Sequence, residues 1–223
     1  LVSMVTAAHT VTHQETESVL EALLLESKLI KEHNPPYNVK EKDNKSFTCV
    51  VITKETFPRV LSMRVRDFEK KFTKKEVAYV YGPFASMSSL KEAMKIIRKM
   101  FPYRDTCEAE SVKPCFNAQV KLCPGVCVGS VSEAEYKKTV QNIRKLFEGK
   151  KTELKASLTK DMNDYAKRQM FEKALKIRNT LFALDHIKDV SLIKDDDIVS
   201  FKTTSFRIEA YDVAHISGSY RVG

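Results

Sequence analysis

Four cysteines are crowded into one short segment, spaced Cys107-x7-Cys115-x7-Cys123-x3-Cys127, and this spacing constrains the chain more than any other feature. Pro114 and Pro124 hold the backbone between them extended, so the thiols do not sit on one regular helix. Four thiolates in an irregular loop suit either structural zinc or an iron–sulfur cluster. The closely spaced CxxC pair usual in zinc sites is missing, which places iron–sulfur ahead of zinc. The plainer alternative is four free thiols in a core, but such residues rarely cluster outside helices and strands. The fifth cysteine, in Thr48-Cys49-Val50-Val51, reads as core. Five cysteines without an export signal point to a reducing compartment, so a cytoplasmic protein is expected.

Charge adds a second constraint. The net charge is +9, and residues 45–104 alone hold fourteen Lys/Arg against five Asp/Glu. A basic stretch of this size favours a polyanion, because each phosphate contact releases counterions. Lys70, Lys71, Lys74 and Lys75, in a loop between two strands, and Arg98 and Lys99, on the polar side of a helix, are the candidate DNA contacts; a merely solvated surface is the alternative. No apolar run nears the roughly 20 residues of a membrane span. The opening Leu1-Val2-Ser3-Met4 and closing Arg221-Val222-Gly223 read as a chain entered and left mid-protein.

Periodicity predicts strands at residues 4–14, 46–53, 57–66, 76–81 and 201–212, with a turn at Gly82-Pro83. Helices are expected at 17–33, from a capping box at Ser89 to Met100, at 132–148, and from 152 to 187. In the first helix Val19, Ala22, Leu23, Leu25, Leu29 and Ile30 form an apolar arc that includes Glu26. A carboxylate buried there would need a cation, a donor or a cleft, unless the arc faces a solvent gap. In Phe206-Arg207-Ile208-Glu209-Ala210-Tyr211-Asp212, alternation puts Asp212 at the end of an apolar strand face, with the same demand. Residues 153–188 carry two apolar stripes, which periodicity allows on one long helix.

These runs resemble the UvrC family, in that family's order and over essentially the whole chain. Glu21-Ala22-Leu23-Leu24-Leu25-Glu26 … Asn34-Pro35-Pro36-Tyr37-Asn38 is similar to the end of its GIY-YIG nuclease domain. The resemblance implies that Glu26 binds a divalent Mg²⁺ or Mn²⁺ and that Asn38 supports the site. Phe101-Pro102-Tyr103-Arg104 … Lys113-Pro114-Cys115 … Cys123-Pro124-Gly125-Val126-Cys127 resembles a segment that holds a [4Fe–4S] cluster in some members. Cys107 is the least regular of the four, because the first gap is shorter than in some relatives. Met162 … Ala166 … Phe171-Glu172-x-Ala174 … Arg178 is similar to the UVR motif, which implies a hairpin docking on UvrB. Asp212-Val213-Ala214-His215 … Gly218 resembles the opening of the RNase H-like endonuclease, where this aspartate is the first metal ligand. Ala214 departs from the polar residue of the family pattern.

The expectation is therefore an α+β, multi-domain fragment. It comprises the end of a GIY-YIG domain (1–42), a mixed α/β, basic, cysteine-bearing middle (43–150), a UVR hairpin (151–190) and the start of an RNase H-like domain (200–223). The implied function is the 3′ and 5′ incision of damaged double-stranded DNA in nucleotide excision repair, with UvrB as direct and UvrA as indirect partner. This stretch alone is expected to bind DNA without cutting it. One alternative is a non-catalytic DNA- and UvrB-binding module with a structural metal centre. Another is the short, single-cut UvrC homologue, which lacks the UVR motif and the Asp212 region.

Overall fold

The computed structural model describes residues 6–7, 9–16, 18–35, 47–109, 111, 113–186, 214–216 and 220–222. They fall into two compact units, divided after residue 191.

The centre of the first unit is a three-stranded antiparallel sheet of β1 (Thr48–Thr53), β2 (Val60–Arg64) and β3 (Val77–Phe84), in the order β2-β1-β3. All six β1 residues are buried, as a β-branched strand flanked on both edges would be. The register puts Val50, Ile52, Val60 and Phe84 in the core shared with the helices. Helix α1 (Val19–His33) precedes the sheet, and α2 (Val65–Lys71) follows β2 without a loop. Then come α3 (Met87–Met100), the four-residue α4 (Phe116–Gln119), α5 (Glu133–Phe147), α6 (Lys151–Lys167) and α7 (Phe171–Asp185). In the second unit β4 (Ala214–Ile216) pairs antiparallel with β5 (Tyr220–Val222).

Several expectations change. Residues 9–16 form no strand, residues 6–7 are helical, and 9–16 lie exposed: Val and Thr propensity without a partner strand does not make a sheet. The expected strand at 57–66 is shorter, because Asp67 in the first turn and Lys70 and Lys71 in the last suit the dipole of α2. Lys70 and Lys71 thus end a helix, and only Lys74 and Lys75 lie in the following turn. Gly82-Pro83 is no turn but part of β3, an edge strand where a missing N–H is tolerated. Gly82 has φ 134°, and a Cβ there would lie 3.0 Å from the Thr48 carbonyl. Helix α3 starts three residues early, since the Ser86 side chain, not Ser89's, caps it by accepting from the Ser89 N–H. The expected strand at 201–212 lies outside the described residues.

Helix α5 anchors to the sheet through rings. Phe147 stacks on Tyr81 at 5.0 Å, and the Arg144 guanidinium lies 3.7 Å over Tyr79. Tyr136, fully buried on α5, donates to the Pro58 carbonyl (2.6 Å) and accepts from the Arg104 N–H (2.9 Å). One hydroxyl therefore joins α5, the approach to β2 and the strand-like residue before the cysteines. Tyr136→Phe leaves a buried donor and acceptor unmatched and should lower stability by about 1–3 kcal/mol, read as a shifted urea midpoint at constant slope. An unchanged midpoint would mean that this hydroxyl is not a structural tie.

Candidate functional site

The cysteine segment has little regular structure of its own, so its shape comes from polar side chains anchored elsewhere. Arg104, buried at its place after α3, donates through Nε to the Cys107 carbonyl (2.6 Å). Its Nη1 donates to Glu55 (2.8 Å) and to the Phe57 carbonyl (2.7 Å). Arg98 of α3 donates through Nε to the Leu122 carbonyl (2.9 Å), through Nη1 to Asp105 (2.7 Å) and through Nη2 to the Tyr103 carbonyl (3.1 Å). Asp105 also accepts from the Asn117 amide at 3.1 Å, and the Asn117 carbonyl receives the N–H groups of Leu122 and Cys123. These bonds fix the loop at Cys107, just after Cys115 and at Cys123.

The last turn depends on Gly125. Its φ is 85°, and a Cβ there would fall 2.8 Å from the Ser130 Cβ, so only glycine fits. Its carbonyl accepts from Val128 (3.1 Å) and Ser130 (3.0 Å), closing the 3₁₀ turn Val126–Val128 that carries Cys127.

The result is convergence of thiols. The sulfurs of Cys107, Cys115 and Cys123 all lie within 4.8 Å of one another, and the Cys127 sulfur accepts from the Cys115 N–H at 3.4 Å. Their electrostatics differ. Burial, then the neighbouring cysteines, pushes the Cys107 thiol up to about 12. Burial also raises Cys123, against N–H donation from Gly125 and Val126. Cys115 is the opposite case: burial acts to raise it, but the Ala118 N–H and the thiols of Cys127, Cys107 and Cys123 bring it below the ordinary thiol value. Cys115 is thus the most acidic of these three thiols, and a metal bound by all three would have to displace the protons of Cys107 and Cys123. Cys49 stands apart as a core thiol, raised by burial to about 11.

The other expected residues are placed less uniformly. Glu26 is exposed: α1 buries Leu20, Leu23 and Ser27, while Ala22, Glu26 and Leu29 face outward. The arc drawn from the wheel therefore straddles the boundary, with Leu23 inside and Ala22, Glu26 and Leu29 outside, and an exposed carboxylate carries no burial cost to explain. Asn38 and Asp212 lie outside the described residues. Arg98, expected among the phosphate contacts, is committed internally with its side chain 15% exposed, whereas Lys70, Lys71, Lys74, Lys75 and Lys99 are exposed. Helices α6 and α7 form a hairpin, not one helix: Gln169 adopts φ 59°, and the Met170 N–H returns to the Tyr165 carbonyl (2.9 Å). Leu154, Leu158, Ala174 and Leu184 are buried and Met162 is partly buried. Phe171 (66% exposed), Leu175, Arg178 and Phe182 form an outward stripe, with Glu172 also exposed. The bracing roles of Arg98, Asp105 and Asn117 were not readable from residue type; the run Phe101-Pro102-Tyr103-Arg104 was the one signal near them.

A loop in which three cysteine sulfurs could hold a metal, on a small αβ core followed by a helical hairpin with an apolar outer stripe, defines the class of chain. Three family models match in succession: "UvrC-like GIY-YIG domain" over residues 1–39, "UvrC/Cho excinuclease, middle domain" over 47–146 and "UvrB/uvrC motif" over 152–187. The chain belongs to the UvrC family. Proteins named UvrABC system protein C are similar to it: that of Caldicellulosiruptor saccharolyticus is 35% identical over 86% of this chain and 33% of its own length. The Methanosarcina acetivorans protein is 33% identical over 89% of this chain and 38% of its own length, and the Clostridium novyi protein 38% identical over 78% and 28%. The chain spans about a third of the length of these relatives. No solved structure matches it. Among the described residues no helix is long and apolar enough to cross a membrane.

The bracing carboxylate gives a pH test. Burial works to raise Asp105, but Arg98, the Thr106 N–H and Asn117 hold it below the ordinary carboxylate value. Its contribution is then present above the unfolded aspartate range, near about 4, and fades as pH falls through the folded value. Asp105→Asn should cost about 1–3 kcal/mol at neutral pH, with the gap to the parent protein shrinking below about pH 4. Urea unfolding at both pH values checks this; a gap independent of pH would contradict the assignment.

Proposed function

We propose that this chain is the central part of a nucleotide excision repair nuclease subunit, recruiting its partner through α6 and α7 and holding DNA beside a cysteine-bound metal. The observation that carries the reading is the outward stripe of Phe171, Leu175 and Phe182 on a hairpin of the motif type shared with UvrB. Three large apolar side chains on one exposed helix face are costly in a lone surface and useful in a docking one. A second helical hairpin, that of UvrB, is the partner whose shape matches, with exposed Arg178 and Glu172 at the rim and half-buried Met162 on α6.

The exposed lysines at positions 70, 71, 74, 75 and 99 give a phosphate-facing surface for damaged double-stranded DNA, with UvrA acting upstream and without direct contact. The domain parse inferred from sequence accompanies this reading: nuclease end 1–42, middle 43–150, hairpin 151–190, second nuclease 200–223. In the complete protein Glu26, with Asn38 behind it, would bind Mg²⁺ or Mn²⁺ for the 3′ cut, and Asp212 would do so for the 5′ cut. A hard divalent ion there would polarise the phosphate and the leaving oxygen. The exposure of Glu26 is compatible with a ligand that faces substrate.

Two identities compete for the four-cysteine centre. The resemblance favours [4Fe–4S]. The sulfur spacing favours a single tetrahedral ion such as zinc, whose ~2.3 Å bonds put sulfurs a little under ~4 Å apart, a spacing that three sulfurs within 4.8 Å of one another approach. In either case the centre ties the loop together and does no cutting.

Phe171→Asp tests the docking role. Loss of a central aromatic anchor should weaken binding to the UvrB C-terminal hairpin by about 2–4 kcal/mol, measured by titration calorimetry with unchanged helical content. Undiminished affinity would show that the stripe serves another surface.

A further inference from the structure

Phe116 is the most exposed aromatic side chain among the described residues, at 74%, and neither the metal centre nor the hairpin uses it. It opens α4, immediately after Cys115, which caps that helix with its backbone. Val120, 44% exposed, lies one turn on, its N–H bonded to the Phe116 carbonyl at 3.1 Å, so both side chains share one side. Val128, on the neighbouring 3₁₀ turn, is 38% exposed. The loop that carries them is not loose: Asn117 and Leu122, on either side of Val120, are fixed by Asp105 and Arg98. A rigid loop therefore presents an aromatic ring to solvent.

The charge around this ring identifies its partner class. From residue 111 to 132 the sequence has Lys113 and Lys121 and no Asp or Glu. Both lysines are exposed. The Arg98–Leu122 bond seats the last turn of α3, with its exposed Lys99, against the loop, and the Asp105 carboxylate is held by Arg98. Protein interface cores are depleted in lysine, whereas an aromatic face set among lysines is the pattern that stacks nucleic-acid bases over a charge-attracted backbone.

We infer that the cysteine loop is a base-reading platform, with Phe116 stacking on an unstacked or unpaired DNA base while Lys113, Lys121 and Lys99 hold the flanking phosphates. The inference rests on the DNA-binding part of the reading above and sharpens it: the lysines supply affinity for any DNA, and Phe116 supplies preference for DNA whose bases are already exposed. Such selectivity follows from chemistry, since a paired base must first be unstacked before a ring can cover it.

The test uses the whole chain, purified with its metal, and two matched duplexes, one fully paired and one with an unpaired stretch containing 2-aminopurine. Anisotropy should show tighter binding to the unpaired substrate, with a change in 2-aminopurine emission. Phe116→Ala should weaken binding to that substrate roughly tenfold, remove the emission change and leave the paired duplex unaffected. Phe116→Trp should restore both readouts, and Lys113→Gln with Lys121→Gln should weaken both substrates alike. Equal affinities of Phe116→Ala and the parent chain for both substrates would overturn the inference while leaving salt-sensitive DNA binding in place. Absence of binding to either DNA would overturn the DNA reading as well. Loss of UvrB binding in Phe116→Ala, with DNA binding intact, would reassign the ring to a protein interface.

Discussion

Two arginines spend their charge inside the molecule, and the candidate metal loop has its shape because of them. Arg104 and Arg98 together satisfy carbonyls of Phe57, Tyr103, Cys107 and Leu122 and carboxylates of Glu55 and Asp105. Burying a guanidinium is unfavourable unless nearly all its donors are matched, and planar five-donor groups meet that condition where lysine would not. Of the apolar residues between Arg104 and Ser130, Cys123, Val126 and Cys127 are buried, whereas Phe116, Val120 and Val128 are exposed. Its conformation is specified by hydrogen bonds from α3 and the residues just after it, and the thiols converge as a consequence.

The same anchoring ties the parts of the first unit together. Arg104 binds the approach to the sheet, and Tyr136 brings α5 to the same point. At the other end of α5, Leu146 and Gly149 line one small cavity with Ser18, Leu20 and Leu24 of the α1 region and Leu184 of α7, and Lys151 pairs with Glu21 at 2.9 Å. The segment that matches the nuclease domain therefore sits on the junction between the middle region and the hairpin. What remains outward is consistent from element to element: lysines on α2 and α3, an aromatic ring beside the cysteines, and an apolar stripe on α7.

Much of this was legible in the sequence, and the exceptions have physical causes. Helices α1, α3 and α5 followed from periodicity and caps, and the hairpin from its motif. The cysteine spacing announced a place where thiols converge, and the sulfurs of Cys107, Cys115 and Cys123 do lie together. Residue type alone could not separate Arg98 from Lys99, adjacent and both basic, one buried in a network and the other in water. The helical wheel of α1 identified an apolar arc but not which arc meets a neighbour; the tertiary contacts chose Leu20, Leu23 and Ser27 and left Glu26 outside. Lys70 and Lys71 read as loop residues because Leu61, Met63 and Val65 alternate with polar neighbours and hide the helix start at Val65.

The central claim is that the arginine braces hold Cys107, Cys115, Cys123 and Cys127 as one metal centre. Alkylation footprinting of the anaerobically purified chain, read by mass spectrometry beside iron, sulfide and zinc analysis, tests it directly. The account predicts stoichiometric metal, all four sulfurs protected together, and their joint labelling once a chelator removes the metal, with Cys49 protected in both states. Metal-free protein, or cysteines that label independently of one another and of the chelator, would contradict it.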